Sequence, residues 1–226
     1  METNNYLENR PSFGKSFGDG MRLLGDNFLH LLLIVIILGA VQGPAQFIRI
    51  TVQIGGFNWA IGIFAIFALF YSFLVIPVFQ YGGDIMFVHA VRKQKLDFKM
   101  MVKGFSENYL NIILSSLLVF ALVLIGIIFL IIPGIIIGCR LTFVPYLVMD
   151  RNLDPVSAIE ESWRLTKGYG WTIFAMGLVS FFIIIFGLVL LIVGIFPAII
   201  WVSSAFAVLY QDVLEEKGEA PEVVTE

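Results

Sequence analysis

Formal charge is scarce in this chain and is missing altogether from three long stretches. Charged residues make up 14% of the 226 residues, against about 25% in soluble domains. The uncharged stretches cover residues 50–83, 108–139 and 168–211. A charge near the centre of a bilayer costs about 2.5–3.5 kcal/mol on insertion scales, so such stretches indicate membrane spans. Together with a mean hydropathy of +0.93, they predict an integral membrane protein.

Other shortages exclude particular kinds of site. The single cysteine, Cys139, excludes an intrachain disulfide and a cysteine-rich metal site. The two histidines, His30 and His89, stand apart and form no ligand set. The sequence contains no pattern of a known catalytic site, and no pair of carboxylates lies within a predicted span. We therefore expect neither enzymatic activity nor a cofactor. The net charge of −3 argues against nucleic acid as a partner.

The uncharged stretches predict six transmembrane helices. A spanning helix needs about 20 apolar residues. The 44 residues of 168–211 and the 32 residues of 108–139 exceed one span, and each stretch continues through a proline-containing break, as a hairpin would. The predicted spans are about 28–53, 59–81, 109–132, 134–149, 171–193 and 196–211. The first apolar run begins at Phe28 after 27 mostly polar residues, so we expect no cleavable signal peptide.

Prolines mark the predicted turns and kinks, because proline lacks the donor that a continuing helix needs. Pro44, Pro133 and Pro197 mark the turns of three hairpins, with a kink as the alternative at Pro44. Pro77 and Pro145 lie inside the second and fourth spans. The GxxxG spacing of Gly134 and Gly138 predicts close helix packing, which we expect within the chain rather than between copies.

An amphipathic segment precedes each hairpin, which suggests three pseudo-repeats. In the clearest copy, Asp154 suits a helix N-cap and Gly168 a C-cap. Trp163 lies on its apolar face, and Trp171 opens the next span. Coincidence in a biased composition is the alternative explanation for the repeat.

The other two copies are shorter in sequence but similar in pattern. Phe98 and Phe105 lie on one face of the second copy, and Tyr109 opens the following span. The first copy covers residues 12–25. We expect these aromatic residues to anchor the segments at the membrane interface, although the segments could instead pack against one another beneath the bundle.

Positive charge predicts the orientation. Residues 84–107 hold five lysines and arginines, whereas the hairpin turns hold none apart from nearby Arg49. The positive-inside rule then places both termini in the cytoplasm. The predicted parts are a cytoplasmic N-terminal segment (1–27), a six-helix transmembrane domain (28–213) and an acidic, disordered tail (214–226).

Arg140 is the most informative single residue, because a predicted span surrounds it. An ionisable residue within a membrane needs a partner and is by default a functional candidate. Asp84 is the nearest acid on the preceding hairpin, and carbonyl groups freed by Pro77 or Pro145 are equally plausible partners. Arg140 could be a structural tie between helices, or it could line a path for anions or lipid headgroups.

One family resemblance covers roughly residues 70 to 213. The segment Ser162-Trp163-Arg164-Leu165-Thr166-Lys167-Gly168, with Pro133-Gly134-Ile135 and Leu153-Asp154-Pro155 before it, resembles a largely uncharacterised bacterial superfamily of six-helix membrane proteins. That superfamily includes the membrane domain of some glycerophosphodiester phosphodiesterases. The resemblance implies a bacterial inner-membrane protein. It implies no activity, because catalysis in those phosphodiesterases belongs to a separate soluble domain.

Two functions are compatible with these observations. The first is a non-enzymatic membrane scaffold or accessory subunit, whose partners are membrane lipids and a membrane or cytoplasmic protein. The second is a transporter or lipid-handling protein with a cavity near Arg140. A wet, polar cavity would favour transport, whereas an exposed apolar groove would favour a scaffold.

Overall fold

All regular structure in the described part of the chain is helical. The computed structural model describes residues 11–55, 59–190 and 194–221. Its helices are α1 (Phe13–Gly55), α2 (Trp59–Leu74), α3 (Ile76–Val91), α4 (Met100–Lys103), α5 (Tyr109–Phe129), α6 (Ile131–Arg140), α7 (Val144–Asp150), α8 (Pro155–Leu165), α9 (Gly170–Val189) and α10 (Ile195–Glu216). Six stretches are long and apolar enough to cross a membrane: Phe13–Phe47, Gly62–Val91, Tyr109–Phe129, Ile131–Asp150, Gly170–Val189 and Ile195–Glu216. The predicted all-α, polytopic bundle is confirmed.

The amphipathic segments take three different forms, so the threefold repeat stays a prediction. The first is the start of α1 and joins the first span directly, with one non-helical residue at Asn27. The second is only the single turn of α4, and the third is the eleven-residue α8. In α8 the Asp154 carboxylate accepts a hydrogen bond from the Ser157 amide at 3.2 Å, as its predicted N-cap role requires. The helix ends at Leu165, before Gly168, which has a positive φ of 98° and turns the chain towards α9.

The prolines sit mostly at helix starts. Pro77 and Pro145 fall in the first turns of α3 and α7, where a missing amide donor costs nothing. Each therefore follows a true break in its span, at Val75 and at residues 141–143. Pro197 likewise lies in the first turn of α10.

Two predicted turns are displaced in the structure. At Pro44 the chain does not turn, because α1 continues as a helix to Gly55; proline is tolerated inside membrane helices. The second hairpin turns at the extended residue Leu130, so that Pro133 lies within the first turn of α6. The predicted turn at Pro133 is therefore three residues too late.

The second and sixth spans are longer than predicted, and the first residues of the predicted tail are ordered. α3 continues to Val91 rather than ending near Tyr81, and α10 continues to Glu216 rather than ending near Gln211. Residues 214–218 are thus helix and turn instead of a disordered tail, and Glu219 forms ion pairs with two arginines that hold this segment. The last five residues of the predicted tail lie outside the described residues.

The packed core lies at the charged end of the bundle. The C-terminal halves of α3 and α10, with α7 between them, supply many of the fully buried side chains, among them Phe87, Leu147 and Tyr210. Arg92, at the end of α3, donates to both carboxylate oxygens of Asp150 at 2.6 and 2.7 Å, and to the side-chain oxygen of Gln211 at 2.8 Å. By contrast, α2, α5 and α9 expose large apolar side chains along most of their length, as expected of surfaces that face lipid.

Candidate functional site

Arg140 lies at the break between α6 and α7, beside the end of α8. Its Nη1 donates to the carbonyl oxygen of Thr166 at 2.6 Å. Its Cζ lies 5.8 Å from the centre of the Trp163 ring, within the range of a cation–π contact. The structure therefore gives Arg140 a different partner from those considered in the sequence analysis. That partner is the carbonyl of the residue that follows α8, which also accepts from the Tyr169 amide at 3.0 Å.

Hydrogen bonds from α8 also stabilise the break between α6 and α7, beside which Arg140 lies. A break between two helices leaves backbone groups without intrahelical partners. The Ser162 hydroxyl donates to the Arg140 carbonyl at 2.7 Å and accepts from the Phe143 amide at 3.3 Å. The Thr166 hydroxyl lies 3.2 Å from the same Arg140 carbonyl. Ser162 and Thr166 are fully buried, so these bonds hold the break in one conformation.

The rest of the Arg140 guanidinium is not satisfied. Among the described residues its Nε and Nη2 groups have no hydrogen-bond acceptor, and no carboxylate lies within ion-pair distance. A Cβ atom placed on Gly170 would lie 3.9 Å from Nη2, so the guanidinium extends across the start of α9. No side chain caps the start of α9, whose first amide groups add partial positive charge there. The structure thus concentrates positive charge at this point.

Arg140 lies at one end of an apolar groove between α6 and α9. The groove has a volume of about 520 Å³, and its lining residues are Ile132, Ile135, Ile136, Cys139, Arg140, Gly168, Gly170, Trp171 and Phe174. Arg140 is the one charged residue in this lining. Ile132 and Trp171 are largely exposed in the isolated chain, so the groove opens at the side of the bundle. In a membrane it would open towards the lipid.

The predicted interfacial aromatics fall into two sets, one close to Arg140 and one around α4 and the start of α5. Trp171 lines the groove and Trp163 contacts Arg140, with 80% and 47% of their surfaces exposed. Phe105 and Tyr109 stack on each other with their ring centres 5.9 Å apart, next to α4 and at the start of α5. Phe98 is half-buried and packs against the core. Their role as interfacial anchors stays a prediction.

Asp84 is not part of this site. It lies half-buried in the middle of α3, and neither a hydrogen bond nor an ion pair joins it to another described residue. The predicted pairing of Asp84 with Arg140 is therefore absent. Four described groups have buried polar atoms without a hydrogen-bond partner, namely Ser115, Ser180, Ser204 and Asp212, and none of these residues lines the groove.

Charged groups on the outer side of α8 fix it to the C-terminal segment. Arg164 donates to Glu161 at 2.6 Å and to Glu219 at 2.7 Å, and Arg151 contacts the same two glutamates. The Arg164 hydrogen bonds lower the pKa of both carboxyls below the usual range for glutamate. Both glutamates therefore stay ionised to a lower pH than an ordinary glutamate, and α8 is held through these ion pairs as well as through Ser162.

Comparison with known proteins adds no relative. No protein-family model, curated protein or solved structure matches this chain. The class of the protein therefore rests on its own structure: a multi-pass, α-helical membrane protein with a polar site at a helix break. Among the described residues, no three histidine, cysteine, aspartate or glutamate side chains are grouped so that they could hold a metal ion.

Sequence reasoning found Arg140 but missed what surrounds it. A lone charge in an apolar stretch is conspicuous, whereas Ser162 and Thr166 look like ordinary polar residues of an amphipathic helix. Both belong to the Ser162–Gly168 segment that carries the family resemblance, and this segment wraps around Arg140 in the structure. The available signal was this distinctive polar segment, which runs from the last turn of α8 to Gly168.

Proposed function

We propose that this protein is a non-enzymatic protein of the bacterial inner membrane that binds an anionic phospholipid at Arg140. The observation that carries this proposal is a guanidinium with unsatisfied donors at the head of an apolar groove that opens sideways. An anionic phosphate would accept from the free Nε and Nη2 groups, as arginine forks favour. The acyl chain would lie against Ile132, Ile136 and Phe174.

The groove fits a phospholipid better than either alternative ligand. A solute carried across the membrane would need a wet, polar path, and this lining is apolar except at Arg140. A partner helix would bring a continuous apolar face and would leave the guanidinium desolvated without a counter-charge. A phospholipid supplies both an apolar chain and an anionic group at its end.

The charge pattern supports placing the site in the inner leaflet. The five lysines and arginines of residues 84–107 favour a cytoplasmic location for the charged end, where Arg92 and the ends of α3 and α10 lie. Arg140 is level with the end of α8, which is amphipathic and has the exposed residues Val156 and Trp163. This position would bring the guanidinium to the headgroup region of that leaflet.

Native mass spectrometry can test the proposal with Arg140→Gln. The purified protein would be mixed with dioleoyl phosphatidic acid or dioleoyl phosphatidylcholine, and the bound lipid would be counted. We expect the wild type to prefer phosphatidic acid. Arg140→Gln should lose about tenfold or more of this affinity, because a hydrogen bond to a charged group contributes about 1.5–3 kcal/mol.

A matched control separates the site from general charge. Arg22→Gln removes the same charge from an exposed side chain that has only a weak contact with Asp19. This variant should bind phosphatidic acid like the wild type, and all three proteins should have similar melting temperatures. Equal losses in the two variants, or no loss in Arg140→Gln, would contradict the proposal.

A scaffold or accessory function is the second candidate. The exposed side chains of Val156 and Trp163 on α8 could contact a membrane or cytoplasmic protein instead of lipid. Gentle extraction from the native membrane, followed by the same mass measurement, would detect a stoichiometric protein partner. Loss of that partner in Trp163→Ala, with phosphatidic acid binding unchanged, would favour this second function.

A further inference from the structure

A second apolar cavity lies along the same α6–α9 contact. Its volume is about 450 Å³, and its lining residues are Ile135, Gly138, Cys139, Thr142, Ile173, Phe174, Gly177, Leu178 and Phe206. Three of these side chains, Ile135, Cys139 and Phe174, also line the Arg140 groove. The two spaces are therefore neighbours, and these three side chains separate them.

Two glycines keep the second cavity open. A Cβ atom placed on Gly138 or on Gly177 would meet no other atom within 4 Å. Close packing thus does not explain either glycine, although a glycine inside a helix costs roughly 0.5–1 kcal/mol relative to alanine. Gly126, in α5, differs: its Cβ would come within 2.8 Å of the Gly134 Cα. What Gly138 and Gly177 provide is space between α6 and α9.

We propose that the second cavity receives the second acyl chain of the lipid whose phosphate binds Arg140. This inference rests on the proposed function and narrows its ligand to a diacyl anionic phospholipid. The lining of the second cavity contains no charged residue, so it fits a chain and not a headgroup. Because the second cavity borders the Arg140 groove at Ile135, Cys139 and Phe174, two chains on either side of these residues would lie below one headgroup.

Comparison of one-chain and two-chain lipids tests this inference. The probes are dioleoyl phosphatidic acid and 1-oleoyl lysophosphatidic acid, which carry the same phosphate. The wild type should bind the two-chain lipid at least about tenfold more tightly. Gly177→Leu should reduce this preference to near parity by filling the second cavity, while its affinity for the one-chain lipid stays unchanged.

Two further variants keep the test decisive. Gly43→Leu is the matched control, because Gly43 also lies in a helix with no atom within 4 Å of its Cβ, but outside both cavities. It should keep the two-chain preference. If Gly177→Leu does not fold, Gly138→Leu fills the same cavity from the opposite helix and should give the same result.

Failure of the inference can be distinguished from failure of the proposed function. If Arg140→Gln weakens both lipids but the wild type does not discriminate between them, the second-chain site is wrong and the Arg140 site stands. The second-chain inference would also be overturned if folded Gly177→Leu or Gly138→Leu kept the preference for the two-chain lipid. If Arg140→Gln weakens neither lipid, the proposed function itself has failed.

Discussion

Arg92 and Arg140 both lie where a helix ends, but their surroundings assign them different roles. The Arg92 side chain is 3% exposed, and its donors are satisfied by Asp150 and Gln211. Tyr210 donates to the same Asp150 carboxylate at 3.0 Å, so the network joins α3, α7 and α10. Arg140 has one backbone acceptor and free donors facing a groove. At the scale of single residues, the first arginine is structural and the second is available to a ligand.

The sequence draws attention to Arg140, whereas Arg92 is the arginine that contributes more to stability. Arg140 is conspicuous because it is alone in an apolar stretch. Arg92 stands in a charged cluster with Lys93 and Lys95, where nothing in the sequence marks it as buried. Its partner Asp150 is 58 residues away, and only the packing of α3 against α7 brings the two together. Such long-range pairings cannot be derived from local pattern.

Arg92→Leu should destabilise the protein strongly. Removing one member of a buried ion pair leaves the Asp150 charge without compensation, which typically costs about 3–5 kcal/mol. The free energy of unfolding, measured by titration with denaturing detergent in micelles, would show this loss. Lys95→Leu, at an exposed position nearby, should have little effect. Equal stabilities of the two variants would contradict the structural role of Arg92.

At the scale of helices, glycine spacing predicted close contacts only in part. Gly134 packs against its own hairpin, where its Cβ would come within 2.4 Å of the Ile127 side chain. Gly138, one turn later, has no close neighbour. The GxxxG spacing puts both glycines on one face, but the position of the turn at Leu130 decides how far the close contact with α5 extends. That position was also predicted three residues late.

Alanine substitutions should separate the two kinds of glycine. Gly126→Ala should lower the free energy of unfolding by about 1–3 kcal/mol, because the added methyl group overpacks the α5–α6 contact. Gly138→Ala should be neutral or slightly stabilising, since alanine favours the helix and open space receives the methyl group. The same detergent titration measures both. A loss of stability in Gly138→Ala as large as that in Gly126→Ala would be the contrary result.

The attachment of the C-terminal segment to α8 should depend on pH. Glu161 and Glu219 have lowered pKa values in the folded protein, chiefly because Arg164 donates to them. Their contribution to stability is therefore present above the ordinary glutamate pKa of about 4.3 and is lost as the pH falls through the lowered values. Glu219→Gln should melt below the wild type at pH 7, and this difference should shrink as the pH falls below about 4.

An exposed glutamate on the same helix provides the comparison. Glu160 lies in α8 and has no ion-pair partner among the described residues, so Glu160→Gln should melt like the wild type throughout. A difference between Glu219→Gln and the wild type that grew on acidification would contradict the sign of this argument.

Across the whole molecule, charge and packing are concentrated at the same end. The charge clusters in the sequence mark out six apolar spans, and the structure has six such helical stretches, because composition alone determines which segments a bilayer accepts. It did not predict that the core would lie at the charged end. Spans two and six continue past the residues where their apolar runs weaken, and packing among α3, α7 and α10 stabilises those extra turns.

The positive-inside rule makes a prediction about orientation for the whole chain. In a Cys139→Ser background, Lys95→Cys and Lys217→Cys should both react with a membrane-impermeant thiol reagent in inverted vesicles. Neither should react in intact spheroplasts, because both positions lie at the charged end. Labelling of either position from outside the cell would refute the proposed topology.

The most direct test of the central claim is to locate the bound lipid by crosslinking. Phosphatidic acid with a diazirine in one acyl chain would be activated in reconstituted wild-type protein at substoichiometric lipid, and the crosslinked peptides would be mapped. The account predicts crosslinks on the groove residues of α6 and α9, residues 132–139 and 171–178, and their loss in Arg140→Gln. Crosslinks spread equally over exposed apolar surfaces such as residues 63–70 of α2, unchanged in that variant, would contradict a lipid site at Arg140.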